Sequence, residues 1–453
     1  MTPTVSPSSV LGLGKSAEHA EWVDYKTCRL PTPHFKNNII FRKLDLTMGG
    51  VAFNLETCAR PNIVALQPYR CARDDYKDDG SNTLLDANEN SYGPSLSIDL
   101  SANHEVNGST LRLAGLNRYP DPHQIELKQL LCDLRQVASS PATLRPDNIF
   151  VGVGSDEAID GLIRCFCVPG IDKILVCPPT YGMYTVAAQV NDVEVVKAPL
   201  EIEGESPSFD IQPAKIKEEL EGDPRIKLVY ICSPGNPTGK LVDPGRLKEL
   251  LEYNWNGVVV LDEAYIDFAT HGKSLAHWVN DYPNLVVMQT LSKAFGMAGI
   301  RLGFAFAPSR IAGLLNNLKA PYNVSSLTSA LAIQAVSSAG LEVMRSHREL
   351  IVSQRERLVR ELPKISRVGR FLGGFDANFL LVEMLDRPRS LGGHPDNQTA
   401  RVVYSQLAEA KGIVVRYRGN ELGCTGCLRI TVGTENETTK LLEKLEEVFR
   451  EIP

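Results

Sequence analysis

From about residue 146 onward, short apolar runs alternate with helical ones, and this alternation constrains the fold more than any other feature of the chain. NIFVGVG (148–154), DKILVCPP (172–179), VEVVKAPL (193–200), IKLVYICSP (226–234), GVVVLDEAY (257–265) and NLVVMQTLS (284–292) are rich in Val, Ile and Leu and show little in/out alternation. Runs of this kind are expected of parallel strands buried on both faces. SDEAIDGLIRCF (155–166), TYGMYTVAAQV (180–190) and PAKIKEELEG (213–222) read as helices between them. Strand–helix alternation predicts an α/β fold with a mostly parallel central sheet flanked by helices.

At 453 residues the chain exceeds what one hydrophobic core usually fills, so a second, smaller domain is expected. After roughly residue 340 the texture changes. LEVMRSHRELIVSQRERLVRELPKI (341–365) reads as a long charged helix linking the two parts. FDANFLLVEM (375–384), GIVVRYRG (412–419) and CLRITVG (427–433) read as strands, ETTKLLEKLEEVFREI (437–452) as a closing helix, and DRPRSLGGHPDN (386–397) as a surface insertion.

Composition removes several classes of function. Hydrophobic residues make up 43% and charged residues 23%, so the bulk of the chain is not disordered or low-complexity. A net charge of −6 without a long Lys/Arg block argues against a nucleic-acid or membrane-surface binder. There is no run of about 18 apolar residues to span a bilayer. Most of the ten cysteines sit in apolar runs and read as reduced core thiols. Cys424 and Cys427 form a CxxC without the further ligands that zinc requires, so no metal is expected. Residues 1–47 are Ser/Thr/Pro/Lys-rich, lack a secretory h-region, and carry acids that a transit peptide avoids. They read as a flexible extension of a cytoplasmic protein, with Met48 opening a segment that itself resembles a start.

Chemistry collects where the strands end, which is where an open α/β sheet binds ligands. Lys293 follows a buried strand beside Ser292, with Arg301 eight residues on. Ser, Lys and Arg at this spacing can wrap a phosphate while the amine reaches a carbonyl. A partly desolvated amine near other cations becomes nucleophilic, as a Schiff-base lysine must be. Asp262 ends GVVVLD, where a buried carboxylate needs a cationic partner: a protonated pyridine nitrogen, or an arginine. Gly154, Ser155, Asp156 and Glu157 open a helix whose free N–H groups suit a phosphate, with Ser155 also able to cap. Tyr181 could stack on a flat ring or serve as core. Asn236, in a Gly-Asn-Pro-Thr-Gly turn, could donate to a phenolic oxygen or only form the turn. Together these groups match what pyridoxal 5′-phosphate requires.

SPGNPTG (233–239), DEAY (262–265) and TLSKAFGMAGIRLGF (290–304) resemble the fold-type-I pyridoxal-phosphate aminotransferases. LQPYRCAR (66–73), LDANENSYGP (85–94), NRYPDP (117–122), CPPTYGMY (177–184) and CLRITVGT (427–434) narrow the resemblance to the histidinol-phosphate aminotransferase family, from about residue 59 to the C-terminus. The resemblance implies that Lys293 binds the cofactor covalently and shuttles the substrate proton. It implies Asp262 on the ring nitrogen, Tyr181 on the ring, and Asn236 and Tyr265 on the phenolic oxygen. Ser155, Asp156, Ser292 and Arg301 would hold the phosphate, joined by Tyr119 from the second subunit of a homodimer. Arg429 would take the carboxylate of glutamate or 2-oxoglutarate, or the phosphate of histidinol phosphate. Arg416 and Tyr69 would assist with that phosphate, and Asn90 and Asn378 would line the pocket.

The implied layout is an extension over 1–58, an arm over 59–110 shared with the small α+β domain, a large cofactor-binding domain over 111–345 and a small domain over 346–453. The implied reaction is reversible ping-pong transamination. The rivals are an aromatic aminotransferase, a threonine-phosphate decarboxylase, and a dead homologue acting as a binding module, though the last should have lost Lys293 or Asp262. The extension, the 386–397 loop, and Ser155 in place of the commoner Ala depart from the family pattern.

Overall fold

The computed structural model describes residues 52–66, 104–106, 109–111, 116–137, 142–204 and 207–452. These belong to one compact unit, Gly49–Pro453. Its centre is a seven-stranded sheet of β1 (Ile149–Val153), β2 (Lys173–Val176), β3 (Glu194–Lys197), β4 (Ile226–Cys232), β5 (Val258–Asp262), β6 (Leu285–Thr290) and β7 (Leu302–Phe306). The spatial order is β1-β7-β6-β5-β4-β2-β3. The pairs from β3 to β6 are parallel, and β7 runs antiparallel to both β1 and β6.

Six of these strands are those expected from the sequence, and β7 is the one that reading passed over. LGFAF directly follows the TLSKAFGMAGIR motif, so the motif itself conceals a strand that turns back along the strand it has just left.

Period-two alternation sends successive side chains of each buried strand to opposite faces. Val229, Val259 and Val287 face one way, into an apolar layer with α1 (Ile125–Arg135), α4 (Pro213–Gly222), α5 (Pro244–Leu251) and α7 (Ser326–Val336). Leu228, Tyr230, Val258, Val260 and Val286 face the other, against α2 (Gly154–Phe166), α3 (Met183–Val190) and α6 (Ser309–Leu318). Both faces of the sheet are thus covered, which is why its strands are apolar throughout.

A second, four-stranded antiparallel sheet comprises β8 (Val368–Leu372), β9 (Phe379–Met384), β10 (Arg416–Tyr417) and β11 (Cys427–Thr431), in the order β8-β9-β11-β10. Three helices accompany it: α8 (Ser338–Glu361), α9 (Asn397–Glu409) and α10 (Glu435–Glu451). All three contribute to its own apolar cluster around Val382, Leu428 and Leu445. Here too the sequence reading missed one strand, VGRFL, and GIVVRYRG contributes only Arg416 and Tyr417. The 386–397 segment makes a single helical turn, Arg389–Leu391, and its Asp396 caps α9 by accepting from Thr399 N–H at 2.6 Å. A small buried cluster of Tyr265, Phe268, Ala294, Met344 and Phe379 joins the two sheets. Among the described residues no single helix is long and apolar enough to cross a membrane.

Candidate active site

The carboxyl ends of β4, β5 and β6 and the start of α2 open onto one cavity. Ser155, Asp156, Tyr181, Asn236, Asp262, Tyr265, Ser292, Lys293 and Arg301 all line it, together with Gly154, Cys232, Ala264, Thr290 and Ala298. Residues spread from 154 to 301 meet here because parallel strands end on the same edge of the sheet.

Asp262 is the last residue of β5 and is almost wholly buried. Burial pushes its carboxyl up to about 6, against hydrogen bonds from Tyr184 Oη to Oδ2 at 2.6 Å and from Ala264 N to Oδ1 at 3.1 Å. Among the described residues no arginine or lysine forms an ion pair with it. Tyr184 is a contact the sequence reading did not find. It looks like an ordinary core tyrosine, stacked on Tyr230 with ring centroids 4.8 Å apart, and only the packing of α3 against the sheet brings its hydroxyl to Asp262.

Lys293 stands at the cavity mouth, 5.5 Å from the centre of the Tyr265 ring. Its side chain is open to solvent on one side. The protein atoms crowding the other side lower its pKa below the ordinary lysine value, and the Arg429 guanidinium adds to this. Tyr265 is itself held edge-on against Phe379, 5.1 Å between centroids, and burial raises its phenol pKa.

The opposite end of the cavity is built from backbone. Gly154 has φ +73°, a left-handed conformation that favours glycine, and begins α2 without a side-chain cap. Ser155 is therefore inside the first helical turn rather than the cap, a correction to the sequence reading. Gly154 N–H donates to Arg301 O at 2.8 Å. Arg301 also has a left-handed φ, +54°, and its guanidinium donates to Asp156 Oδ2 at 3.2 Å. Strain at a non-glycine residue is tolerated where surrounding contacts over-determine it. Gly303 packs so closely beneath this turn that a Cβ there would lie 2.1 Å from Ser155 N. Thr290, also unforeseen, donates its hydroxyl to Leu302 O at 2.9 Å and accepts from Ser292 N–H at 3.1 Å, which orients Ser292. Tyr181 reaches Asp156 Oδ1 with its hydroxyl at 3.3 Å and meets Tyr184 edge-on.

Arg429 comes from the other sheet. Its Nη1 donates to Asn236 Oδ1 at 2.6 Å, and its guanidinium lies 5.2 Å from the Phe379 ring centre. Its Nε is buried without a hydrogen-bond partner among the described residues. On the neighbouring strand Arg416 is directly opposite Arg429 in the β10–β11 register. Like charges placed directly opposite are destabilising. Burial first, then Arg418 and Arg416, lower the Arg429 pKa. A bound anion would relieve both the repulsion and the unspent donor.

Of the remaining predicted residues, Arg416, Asn378 and Tyr119 are not among those lining this cavity. Arg416 is exposed on β10. Asn378 precedes β9 and accepts from Val432 N–H at 2.9 Å through its carbonyl. Tyr119 is 52% exposed and stacks on Tyr322, centroids 4.6 Å apart. Tyr69 and Asn90, with their motifs, lie outside the described residues.

The chain matches the family model for aminotransferase class I and II over residues 81–445. It is 51% identical to the histidinol-phosphate aminotransferase of Schizosaccharomyces pombe, covering 88% of this chain and 98% of that protein. With the Saccharomyces cerevisiae enzyme of the same name it shares 47%, over 88% and 98%. Among solved structures, the histidinol-phosphate aminotransferase from Sinorhizobium meliloti, in complex with pyridoxal-5′-phosphate, superposes with a TM-score of 0.64 at 23% identity, covering 74% of this chain and 84% of that one. The aspartate aminotransferase from Thermus thermophilus with maleate gives 0.61 at 21%, covering 73% and 84%. With a family model spanning most of its length and relatives sharing about half its residues, the chain belongs to the class I and II aminotransferases, in the branch of the histidinol-phosphate aminotransferases.

Proposed function

We propose that this chain transfers an amino group between L-histidinol phosphate and 2-oxoglutarate, giving imidazole acetol phosphate and glutamate, in either direction. Histidinol phosphate follows from the names of the relatives, and 2-oxoglutarate from the family resemblance. The observation that carries it onto this chain is the Arg416–Arg429 pair, with a buried, unspent Arg429 Nε beside the cavity. Arginine forks suit carboxylate and phosphate alike, so one residue can serve both substrates in turn.

The residues present fit pyridoxal phosphate. Asp262 is a buried carboxylate without an ion-pair partner among the described residues, and a pyridinium nitrogen would supply one. The N–H groups opening α2 at Ser155 and Asp156, with Ser292 and Arg301, would hold the phosphate. Tyr181 would cover one ring face. Asn236 spends its oxygen on Arg429, which leaves its amide hydrogens for the phenolic oxygen, next to Tyr265. When bound, the cofactor supplies an aldehyde that captures amines and a cationic ring that withdraws electrons.

Lys293 would carry the protein's own part of the chemistry. Crowding of its amine favours the neutral form, which can attack a carbonyl and can lift and return the proton at the amine-bearing carbon of the substrate. Arg429 would orient the substrate by its anion so that this carbon faces Nζ. The same reading makes the protein a cytoplasmic homodimer: Tyr119 lies outside its own cavity on an exposed surface, where a partner's phosphate site would meet it. It divides the chain into a large domain over 111–345 and a small domain over 346–453 joined by the arm at 59–110, which the separate apolar cluster of the second sheet supports.

The test is an assay of the purified protein with L-histidinol phosphate and 2-oxoglutarate, following glutamate and recording visible absorption. Glutamate formation with a cofactor band is expected. A band without glutamate, or faster turnover of a phosphate-free aromatic donor, would overturn the substrate assignment.

A further inference from the structure

The Asp262 carboxylate receives two hydrogen bonds, and one comes from a tyrosine that stands behind the cavity wall. Tyr184 is fully buried, and its Oη stands 2.6 Å from Oδ2. The ring is fixed by Tyr230 stacked against it, 20° from parallel, and by Tyr181 edge-on at 88°. Tyr230 spends its own hydroxyl on Ile159 O at 3.1 Å. Tyr184 is thus clamped so that its O–H points at the carboxylate.

Resting on the reading that the cavity holds pyridoxal phosphate, we infer that Tyr184 is a positioning residue: its hydroxyl holds the Asp262 carboxylate charged and oriented, with lone pairs left free for the ring nitrogen. A carboxylate has about four acceptor sites, so the hydroxyl and the Ala264 N–H leave room for a third donor. The need is physical. Burial opposes the charge on Asp262, Asp156 at the start of α2 opposes it further, and Lys293 at the mouth favours it. Among the described residues, Cys232 on β4 and the phenols of Tyr181, Tyr230 and Tyr265 also face this carboxylate. Burial raises the pKa of every one of them, so they stay neutral and offset none of its charge. A hydrogen bond to a charged group shifts an equilibrium by about tenfold to a hundredfold, which for an acid is about one to two pH units.

The experiment measures pyridoxal phosphate affinity of the full-length protein from about pH 6 to about pH 8.5 for the wild type, Tyr184→Phe and Tyr230→Phe. Without the hydroxyl the carboxyl titrates from about 6 to about one or two units higher, so protons compete with the cofactor for it. Tyr184→Phe is expected to lose affinity about tenfold at pH 6 and less than about twofold at pH 8.5, while Tyr230→Phe stays near wild type throughout. A deficit that is the same at every pH, as from mere repacking, or no deficit at all, would overturn the inference. If Tyr184→Phe does not accumulate, 3-fluorotyrosine placed at position 184 keeps the ring and strengthens the donor. Affinity at pH 6 equal to or above wild type is then expected, and a fall there would refute the inference. Failure of the wild type itself to bind the cofactor would instead refute the reading of the cavity.

Discussion

Replacing Asp262 by asparagine should make the cofactor-free protein more stable at neutral pH while abolishing its use. The structure sets the magnitude. Burial raises the carboxyl from 3.8 to about 6, a shift of about two units. At about 1.36 kcal/mol per unit, that is roughly 3 kcal/mol. The sign follows from linkage: a group whose pKa is raised on folding binds protons better in the native state. Its contribution is fully present below pH 3.8 and is lost as pH rises through about 6. Above that pH the wild type carries the whole penalty of a buried charge.

Asparagine is neutral at every pH and nearly isosteric. Its oxygen can keep the Ala264 N–H, and its amide can donate to Tyr184 Oη, which accepts as readily as it donates. The assay is urea unfolding of both cofactor-free proteins at about pH 4.5 and about pH 7.5. Asp262→Asn should exceed the wild type by about 2–3 kcal/mol at pH 7.5 and by much less at pH 4.5. It should also bind pyridoxal phosphate poorly, because no carboxylate remains for the ring nitrogen. Equal stability at both pH values, or a less stable variant at pH 7.5, would refute the argument that this site stores an uncompensated charge for its ligand.

Three further outcomes are expected. Borohydride reduction of the cofactor-loaded protein, followed by peptide mass spectrometry, should place the adduct on Lys293 and should find none in Lys293→Ala; because the Lys293 pKa is lowered, trapping should reach half-maximum at a pH below 10.5. Arg429→Lys should raise KM for both 2-oxoglutarate and histidinol phosphate about 10- to 100-fold, since a charge-assisted bidentate contact worth about 1.5–3 kcal/mol becomes a point charge. Gly303→Ala would force a Cβ to 2.1 Å from Ser155 N and 2.2 Å from Gly154 C. Rigid backbone must move, so a loss of about 1–3 kcal/mol in unfolding free energy and a cofactor affinity at least about tenfold weaker are expected in calorimetry.

A good part of the site is legible in the sequence because its chemistry is local. Lys293, Ser292 and Arg301 lie within a short stretch of chain. Asp262, Asn236, Tyr181 and Ser155 each follow a recognisable strand, and the open α/β topology brings strand ends together without knowledge of the packing. The cap assigned to Ser155 failed for an equally local reason: the chain turns through the left-handed Gly154, so the helix starts one residue earlier than the side-chain pattern suggests.

The order of the apolar runs, their alternation with helical ones, and the polar residues at their ends are properties of neighbouring residues, and the sequence alone determined them. Contacts made across the fold were decided only by tertiary structure. Tyr184 reaches Asp262 over 78 residues, and Arg429 reaches Asn236 over 193. The opposition of Arg416 and Arg429 depends on the register of a two-residue strand. The antiparallel course of β7 depends on its insertion between β1 and β6. Such pairings are set by which helix packs on which strand and by how one sheet meets another. No local spacing encodes them, because the energy that selects them comes from burying whole faces, not from any residue's neighbours in the chain.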